Sequence, residues 1–204
     1  MSTRPTRAST AQALLEAGAM LADDGGLASM TVDAVVNQAG TGKGTFYRHF
    51  PDQSSFLAAL HERFLAGLRA TVTDAASRRA PGSERLRRVL CAYLDGCLGQ
   101  RGLKAFLTEA RVVPNIEARV DLALREFADL LAADLKSMSI SHPGAVARLT
   151  VAMAYEVAMA EQASGHRERT LRDVLITLAT EAPRTATSPQ RRSARVRSTN
   201  LRGA

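Results

Sequence analysis

Apolar residues recur every three or four positions along most of the chain, the spacing that places them on one face of an α-helix. A stripe from Phe56 to Leu68 predicts a long helix over roughly residues 52–76. An earlier stripe predicts a helix that begins at Thr10 and is stopped by the glycine pair 25–26. Further helices are predicted over roughly residues 86–97, 103–111, 115–139, 145–160 and 167–182. The pattern predicts an all-α protein.

Two short helices separated by a glycine-bearing turn are predicted within residues 31–50. If the second helix advances about 100° per residue, Phe46 and Phe50 share its buried stripe, whereas Gly44 and Arg48 point away from it. Gly44 has no side chain, so the backbone can come close to a partner there. This pattern is typical of a helix-turn-helix whose outer face can lie in a groove.

The stretch has a Thr-Val start, an Ala-Gly turn and a second helix of the form Lys-Gly-Thr-aromatic-Tyr-x-His-Phe. The residues that fit this form are Thr31, Val32, Ala39, Gly40, Lys43, Gly44, Thr45, Phe46, Tyr47, His49 and Phe50. The chain thereby resembles the TetR family of transcriptional regulators in its DNA-binding motif. The resemblance implies an N-terminal three-helix helix-turn-helix domain plus a larger C-terminal helical domain for ligand binding and dimerisation.

The resemblance also implies roles for individual side chains. Tyr47 and His49 are expected to bind phosphates, and Thr45 and Arg48 are expected to lie at the groove. The DNA-binding residues expected on this basis are Thr31, Thr41, Gly42, Lys43, Gly44, Thr45, Tyr47, Arg48 and His49. The implied partner is double-stranded DNA.

The chain differs from the family's usual sequence at three places. Val36 stands where a small residue is usual, and Thr41 and Gly42 replace a Val-Ser pair, so a weaker glycine takes the place of a serine cap. Gln53 stands where the family often has a lysine, which puts one expected phosphate contact in doubt.

The letters GTGKGT at residues 40–45 suggest a second interpretation, a phosphate-binding loop of a nucleotide-binding enzyme. That loop requires GxxxxGK[ST] between a buried strand and a helix. Here the first glycine of the motif falls on Asn37, Gly44 follows Lys43, and the preceding residues have helical spacing. The pattern therefore favours the helix-turn-helix.

Charge is distributed unevenly along the chain. The formal net charge is +7, but residues 183–204 contain six arginines and no acid, so the remainder carries 7 − 6 = +1. Residues 1–50 have four basic and four acidic side chains. Any DNA affinity must therefore come from the placement of charges rather than from bulk charge.

Other function classes find little support in the sequence. Cys91 and Cys97 fit neither a disulfide framework nor a zinc site, and the histidines at 61, 142 and 166 propose no triad or metal site. We expect no cofactor, no metal and no enzymatic activity. The N-terminus does not read as a signal peptide, and no stretch reaches the length of a membrane span, so a cytoplasmic protein is expected.

The predicted helix at residues 145–160 is apolar nearly all round, with Arg148 and Glu156 as its only charges. Such a helix must be covered on both sides. With the final helix, whose apolar positions include Leu171, Val174, Leu175 and Leu178, it predicts half of a four-helix dimer interface. Ala154 and Ala158 are small enough to allow close approach of a partner helix. A wholly intramolecular core is the alternative.

The resemblance implies a small-molecule pocket in the second domain. The residues that could line it are Tyr93, Phe106, Met153, Tyr155 and Met159, with Arg148 or Glu156 as a polar anchor. For any one of these residues, a place in the ordinary core is the simpler interpretation. No cofactor motif accompanies them.

The predicted organisation is a flexible arm at residues 1–9, a helix-turn-helix domain at 10–50, a ligand-binding and dimerisation domain at 51–182 whose linking helix is 51–76, and a disordered basic tail at 183–204. The function expected is that of a homodimeric repressor released from a near-palindromic operator by a small-molecule effector. An activating or ligand-independent regulator is the alternative within DNA binding. The sequence names neither the operator nor the effector.

Overall fold

The computed structural model describes residues 7–100, 103 and 116–184. The helices in these ranges are α1 (Arg7–Ser29), α2 (Val32–Gln38), α3 (Lys43–His49), α4 (Gln53–Ser77), α5 (Ser83–Gly99), α6 (Ile116–Ser137), α7 (Pro143–Ser164) and α8 (Arg169–Thr180). The only extended pairing in the described part is an isolated bridge between Ile140 and Arg184. The predicted all-α fold is confirmed. None of the described helices is long and apolar enough to cross a bilayer.

The first three helices pack around a cluster of phenylalanine rings. Phe46 of α3 is fully buried, and its ring centroid lies 5.6 Å from that of Phe50 and 5.3 Å from that of Phe56. Helix α1 crosses this cluster at Gly18, where an added Cβ would stand 2.6 Å from Cζ of Phe56. Phe56 belongs to α4, so the first turns of α4 are part of the same core as α3.

The boundaries of α1 differ from the prediction. The helix begins at Arg7 and continues through the glycine pair 25–26 as far as Ser29, so the prediction that this pair stops it is wrong. Each glycine destabilises a helix interior by only about 1 kcal/mol. The chain directly after the helix is fixed, because Met30 is buried and its carbonyl accepts a hydrogen bond of 2.6 Å from Nε2 of Gln53.

Helix α4 continues from this first core into the second. Beyond Phe56 its buried side chains include Phe64, Leu68 and Val72, and it packs against α5 and α6. Helix α6 packs in turn against α7, and α8 against α7 and α5. One continuous hydrophobic core therefore runs from the N-terminal helices to the C-terminal ones, with α4 as the element common to both.

A buried ion-pair network, which the sequence analysis missed, attaches α8 to its neighbours. Arg172 donates from Nε and Nη2 to the two carboxylate oxygens of Glu161 on α7, at 2.5 and 2.7 Å. Its Nη1 donates to Asp95 on α5 at 2.6 Å. Both side chains of the α7–α8 pair are nearly inaccessible to water, so the three helices are held in a fixed relation.

The C-terminal end of the described chain is held at the turn between α6 and α7. The Pro183 carbonyl accepts a hydrogen bond of 2.7 Å from the backbone N–H of Ser141, next to the bridge at Arg184. The rest of the predicted basic tail lies outside the described residues. So do residues 1–6 of the predicted arm and most of the predicted helix at 103–111, of which only Leu103 is described, as a buried helical residue.

Candidate nucleic-acid interface and adjoining cavity

The turn between α2 and α3 is closed by its backbone. The Thr31 hydroxyl caps α2 by accepting a 3.1 Å bond from the Ala34 N–H. At the other end, Gly40 adopts φ +62°, a left-handed conformation that glycine takes without strain. This lets the Thr41 N–H reach back to the Val36 carbonyl at 2.9 Å, which ends α2 as a Schellman-type cap.

Helix α3 starts at Lys43 without a side-chain cap. Gly42 supplies only its carbonyl, which accepts from the N–H groups of Thr45 and Phe46 at 2.9 and 3.2 Å. The orientation of α3 is therefore set mainly by burial of Phe46 among its ring partners. The loss of the serine cap expected in the family is offset by this packing.

The outer face of α3 is as helical geometry requires. Lys43, Gly44, Tyr47 and Arg48 are exposed, and Thr45 is half-buried. The Tyr47 ring stands edge-on to Phe46 at 5.4 Å, which holds its base while the ring projects into solvent. The exposed side of α3 is thus formed by Lys43, Gly44, Tyr47 and Arg48, and their contact with DNA stays a prediction.

An ion pair joins the N-terminal ends of α2 and α3. Lys43 Nζ lies 2.8 Å from Oδ1 of Asp33, and both side chains are largely exposed. The hydrogen bond to Asp33 raises the pKa of Lys43. This contact brings the predicted residue Thr31 to the same end of the motif as Lys43. Nothing in the local sequence marks Asp33 as the partner of this lysine.

The structure also shows the roles of the other two residues that differ from the usual family sequence. Val36 is buried in the core of the N-terminal helices. Gln53, where a lysine would reach outward, instead donates to the Met30 carbonyl and joins the end of α1 to the start of α4. Asp52 caps α4 by accepting from the Ser55 N–H at 2.6 Å, and this bond lowers the pKa of its carboxyl.

The stretch GTGKGT at residues 40–45 forms the end of the turn after α2 and the first three residues of α3, so a helix and not a strand precedes it. The phosphate-binding loop of nucleotide-binding enzymes needs the latter setting. The described residues also contain no group of three or more His, Cys, Asp or Glu side chains that could hold a metal ion.

A cavity of about 390 Å³ lies between α4, α5 and α6. Its lining consists of Leu65, Leu68, Arg69, Val72, Thr73, Tyr93, Ala123, Leu124, Glu126, Phe127 and Leu130. The rings of Tyr93 and Phe127, both part of this lining, stack on each other with centroids 4.9 Å apart. The volume falls in the range of about 300–1,000 Å³ typical of small-molecule sites.

The residues predicted from the sequence to form a pocket are scattered. Tyr93 lines the cavity, whereas Met153 lies in a surface depression between α7 and α8. Tyr155 and Met159 are half-buried on α7 and line neither of these two sites. Phe106 lies outside the described residues. Arg69 and Glu126, the charged groups of the cavity, were not anticipated because nothing in their local sequence marks them.

The comparison with known proteins agrees with this geometry. The sequence profile of the bacterial regulatory proteins of the tetR family matches residues 14–60, which span most of α1, all of α2 and α3, and the first turns of α4. No curated protein sequence matches the chain significantly.

Solved structures share the fold over nearly their whole length. A TetR-like transcriptional regulator from Rhodococcus sp. RHA1 is 23% identical, with 86% of this chain and 96% of that chain covered and a TM-score of 0.66. A TetR-family regulator from Agrobacterium tumefaciens is 18% identical, with 88% and 100% covered and a TM-score of 0.69. The TetR-like regulator LfrR from Mycobacterium smegmatis, solved in complex with proflavine, is 21% identical, with 88% and 99% covered and a TM-score of 0.62.

The profile match falls on the helix-turn-helix built above, and the fold match extends through the C-terminal helices. Residues 14–60 thus match the tetR family of bacterial regulatory proteins, and the fold as a whole is similar to those of solved TetR-like transcriptional regulators.

Proposed function

We propose that the protein is a homodimeric repressor that binds a near-palindromic operator and is released from it when a small molecule enters the cavity between α4, α5 and α6. The observation that carries this proposal is the double role of α4. Its first turns, through Phe56, form part of the core that orients α3. Its later turns, through Leu65, Leu68 and Val72, form one wall of the cavity.

A change at the cavity can therefore act on the recognition helix through one rigid element. For release, the effector must bind the DNA-free conformation more tightly than the DNA-bound one, and the ratio of the two affinities sets how far the equilibrium moves. The complex of LfrR with proflavine supports the idea that this fold accepts small aromatic molecules.

Exposed apolar side chains on α7 and α8 support the dimer. Leu149 is 65% exposed, Leu178 53% and Val174 50%, and Leu171 is also exposed. Leu149 and Leu178 border the same depression between the two helices. Large aliphatic side chains exposed together indicate a surface that a partner covers. Because a two-fold dimer presents two recognition helices symmetrically, a near-palindromic operator follows.

The packing of the two small residues of α7 differs from the hypothesis. Ala154 and Ala158 are buried within the subunit and cannot line a partner's helix, so their proposed role in close approach is wrong. Their small size serves the intramolecular packing of α7 instead. The surface proposed for the partner is the opposite one, around Leu149 and Leu178.

The first experiment is footprinting of the purified protein on the DNA upstream of its own coding region, repeated with candidate effectors. A protected near-palindrome that is lost on addition of an effector is the expected result. Protection that persists with every cavity ligand would leave a DNA-binding regulator but would contradict release by a ligand.

Arg48 tests the assignment of the outer face. Arg48→Ala should relax the base preference at one position of each half-site, at a loss of about 1–3 kcal/mol for the preferred base, because a guanidinium reads a base edge through two donors. Tyr47→Phe should weaken binding to all sequences alike, because the lost hydroxyl contacts a phosphate. Competition binding against single-base operator variants measures both. An unchanged base preference in Arg48→Ala would show that the outer face is assigned wrongly.

A substitution at Asp33 tests whether its ion pair keeps Lys43 from contacting a DNA phosphate. Asp33→Asn should raise operator affinity by up to about fivefold at low salt, because the lysine no longer has to leave a carboxylate to reach a phosphate. The gain should shrink as salt rises. Asp74→Asn is the matched control, since Asp74 forms a similar exposed pair with Arg78 at the far end of α4. Equal operator affinity in the two variants would contradict the proposed competition.

The dimer surface is tested by charge. Leu178→Glu should give monomers in sedimentation at micromolar concentration and lose binding to the full operator while retaining helical content, because a carboxylate would be buried in an apolar interface. Thr71→Glu, at an exposed position of α4 that lines neither the depression nor the cavity, is the control for the added charge. A wild-type protein that sediments as a monomer would overturn this part of the proposal.

A further inference from the structure

We propose that the cavity between α4, α5 and α6 binds a small hydrophobic carboxylic acid, and that the acid takes the place of Glu126 on the guanidinium of Arg69. This inference rests on the proposed function, because it names the chemical class of the effector for that same cavity. It is carried by the arrangement of charges at the mouth of the cavity.

The interior of the cavity suits an uncharged hydrocarbon or aromatic body. Apart from Arg69, Thr73 and Glu126, the lining is aliphatic or aromatic. A tyrosine hydroxyl is uncharged at neutral pH, and burial, together with Cys97, raises the pKa of Tyr93 further. A ligand that fills this space gains mainly by removing apolar surface from water.

The charged groups form a chain across α4 and α6. Arg69 donates from Nε to Glu126 at 2.8 Å and from Nη1 to Glu62 at 3.1 Å. The other oxygen of Glu62 accepts from Arg119 at 3.0 Å. The two arginines and two glutamates therefore alternate, and Arg69 and Glu126 are the members that border the cavity.

The sign of the ligand's charge follows from the exposure and the partners of the two charged side chains at the cavity. Glu126 contacts the chain through Arg69 and is 49% exposed, so it can turn into water at little cost when another acceptor takes its place. Arg69 is less exposed, at 39%, and bridges two carboxylates. A cationic ligand would have to displace Arg69 from Glu126 and would then lie beside the positive charge of Arg69, which stays at the mouth of the cavity. An anionic ligand has to displace only one exposed carboxylate, that of Glu126.

The geometry of Arg69 adds a second advantage for an anion. Glu126 accepts from Nε alone, although the Nε–Nη2 edge of a guanidinium can serve both oxygens of one carboxylate. Elsewhere in this protein, Arg172 forms this two-bond pairing by donating from Nε and Nη2 to both carboxylate oxygens of Glu161. A ligand carboxylate that reaches the edge side-on would replace one hydrogen bond by two.

Binding of such an acid would also have a mechanical consequence. The Arg69–Glu126 pair links α4 to α6, and its exchange for a ligand contact removes that link while the Arg119–Glu62 pair remains. Helix α4 would then be held to α6 at one charged contact instead of two. Because Phe56 on the same helix packs against α3, the change can reach the DNA-binding surface.

The test compares three probes with one apolar body, namely 4-phenylbutyrate, 4-phenylbutanol and 4-phenylbutylamine, by calorimetric titration of the full-length protein. The acid is expected to bind at least about tenfold more tightly than the alcohol, as hydrogen bonds to charged groups require. Glu126→Gln should tighten acid binding by removing the competitor, and Arg69→Gln should abolish the preference for the acid. Arg78→Gln, at an exposed arginine directly after α4 and outside the cavity, is the matched control and should change nothing.

Three outcomes would overturn the proposal: the amine binds most tightly, the acid binds no better than the alcohol, or none of the probes binds at millimolar concentration. Operator binding measured in the same solutions separates this inference from the proposed function. Release of the operator by the alcohol or the amine would refute the ligand class and leave ligand-controlled release standing. Tight binding of the acid without release of the operator would support the ligand class and refute ligand-controlled release.

Discussion

The packing of Phe56 against Phe46 and Phe50 is the contact on which the rest of the structure depends. It makes the start of α4 inseparable from the recognition helix, and Gly18 allows α1 to close over it. A helix of 25 residues is about 37 Å long at 1.5 Å per residue, so α4 spans the distance from the helix-turn-helix to the cavity without a joint. Any effector that moves the far end of α4 must also act on its near end.

The sequence predicted those features that depend on local spacing. Phe46 faces inward while Gly44 and Arg48 face outward, because seven residues of regular helix fix these directions. Phe50, the residue that follows α3, is buried as predicted although its backbone is extended. Helix α4 likewise lies within about one residue of its predicted bounds at each end. The end of α1 was mispredicted because the penalty of two glycines is local, whereas the burial of Met30 that outweighs it is not.

The sequence could not predict contacts between residues distant along the chain. Asp33 and Lys43 meet because Gly40 reverses the chain between their helices, and Arg69 and Glu126 meet across 57 positions. Of the aromatic and methionine side chains proposed for the pocket, composition alone could not tell Tyr93, which faces the cavity, from Met153, which lies between α7 and α8. Small-molecule sites are formed by such long-range tertiary contacts, whereas a helix-turn-helix is encoded by one short stretch of sequence.

The central claim of the proposed function is that occupancy of the cavity changes, through α4, the spacing of the two α3 helices of a dimer. The direct measurement is the distance between spin labels attached through Asn37→Cys on α2 of each protomer, in a Cys91→Ala, Cys97→Ala background, by double electron–electron resonance. The result expected is one distance distribution with operator bound and a shifted one when an effector saturates the cavity. The same distribution in both states, with the cavity demonstrably occupied, would contradict it.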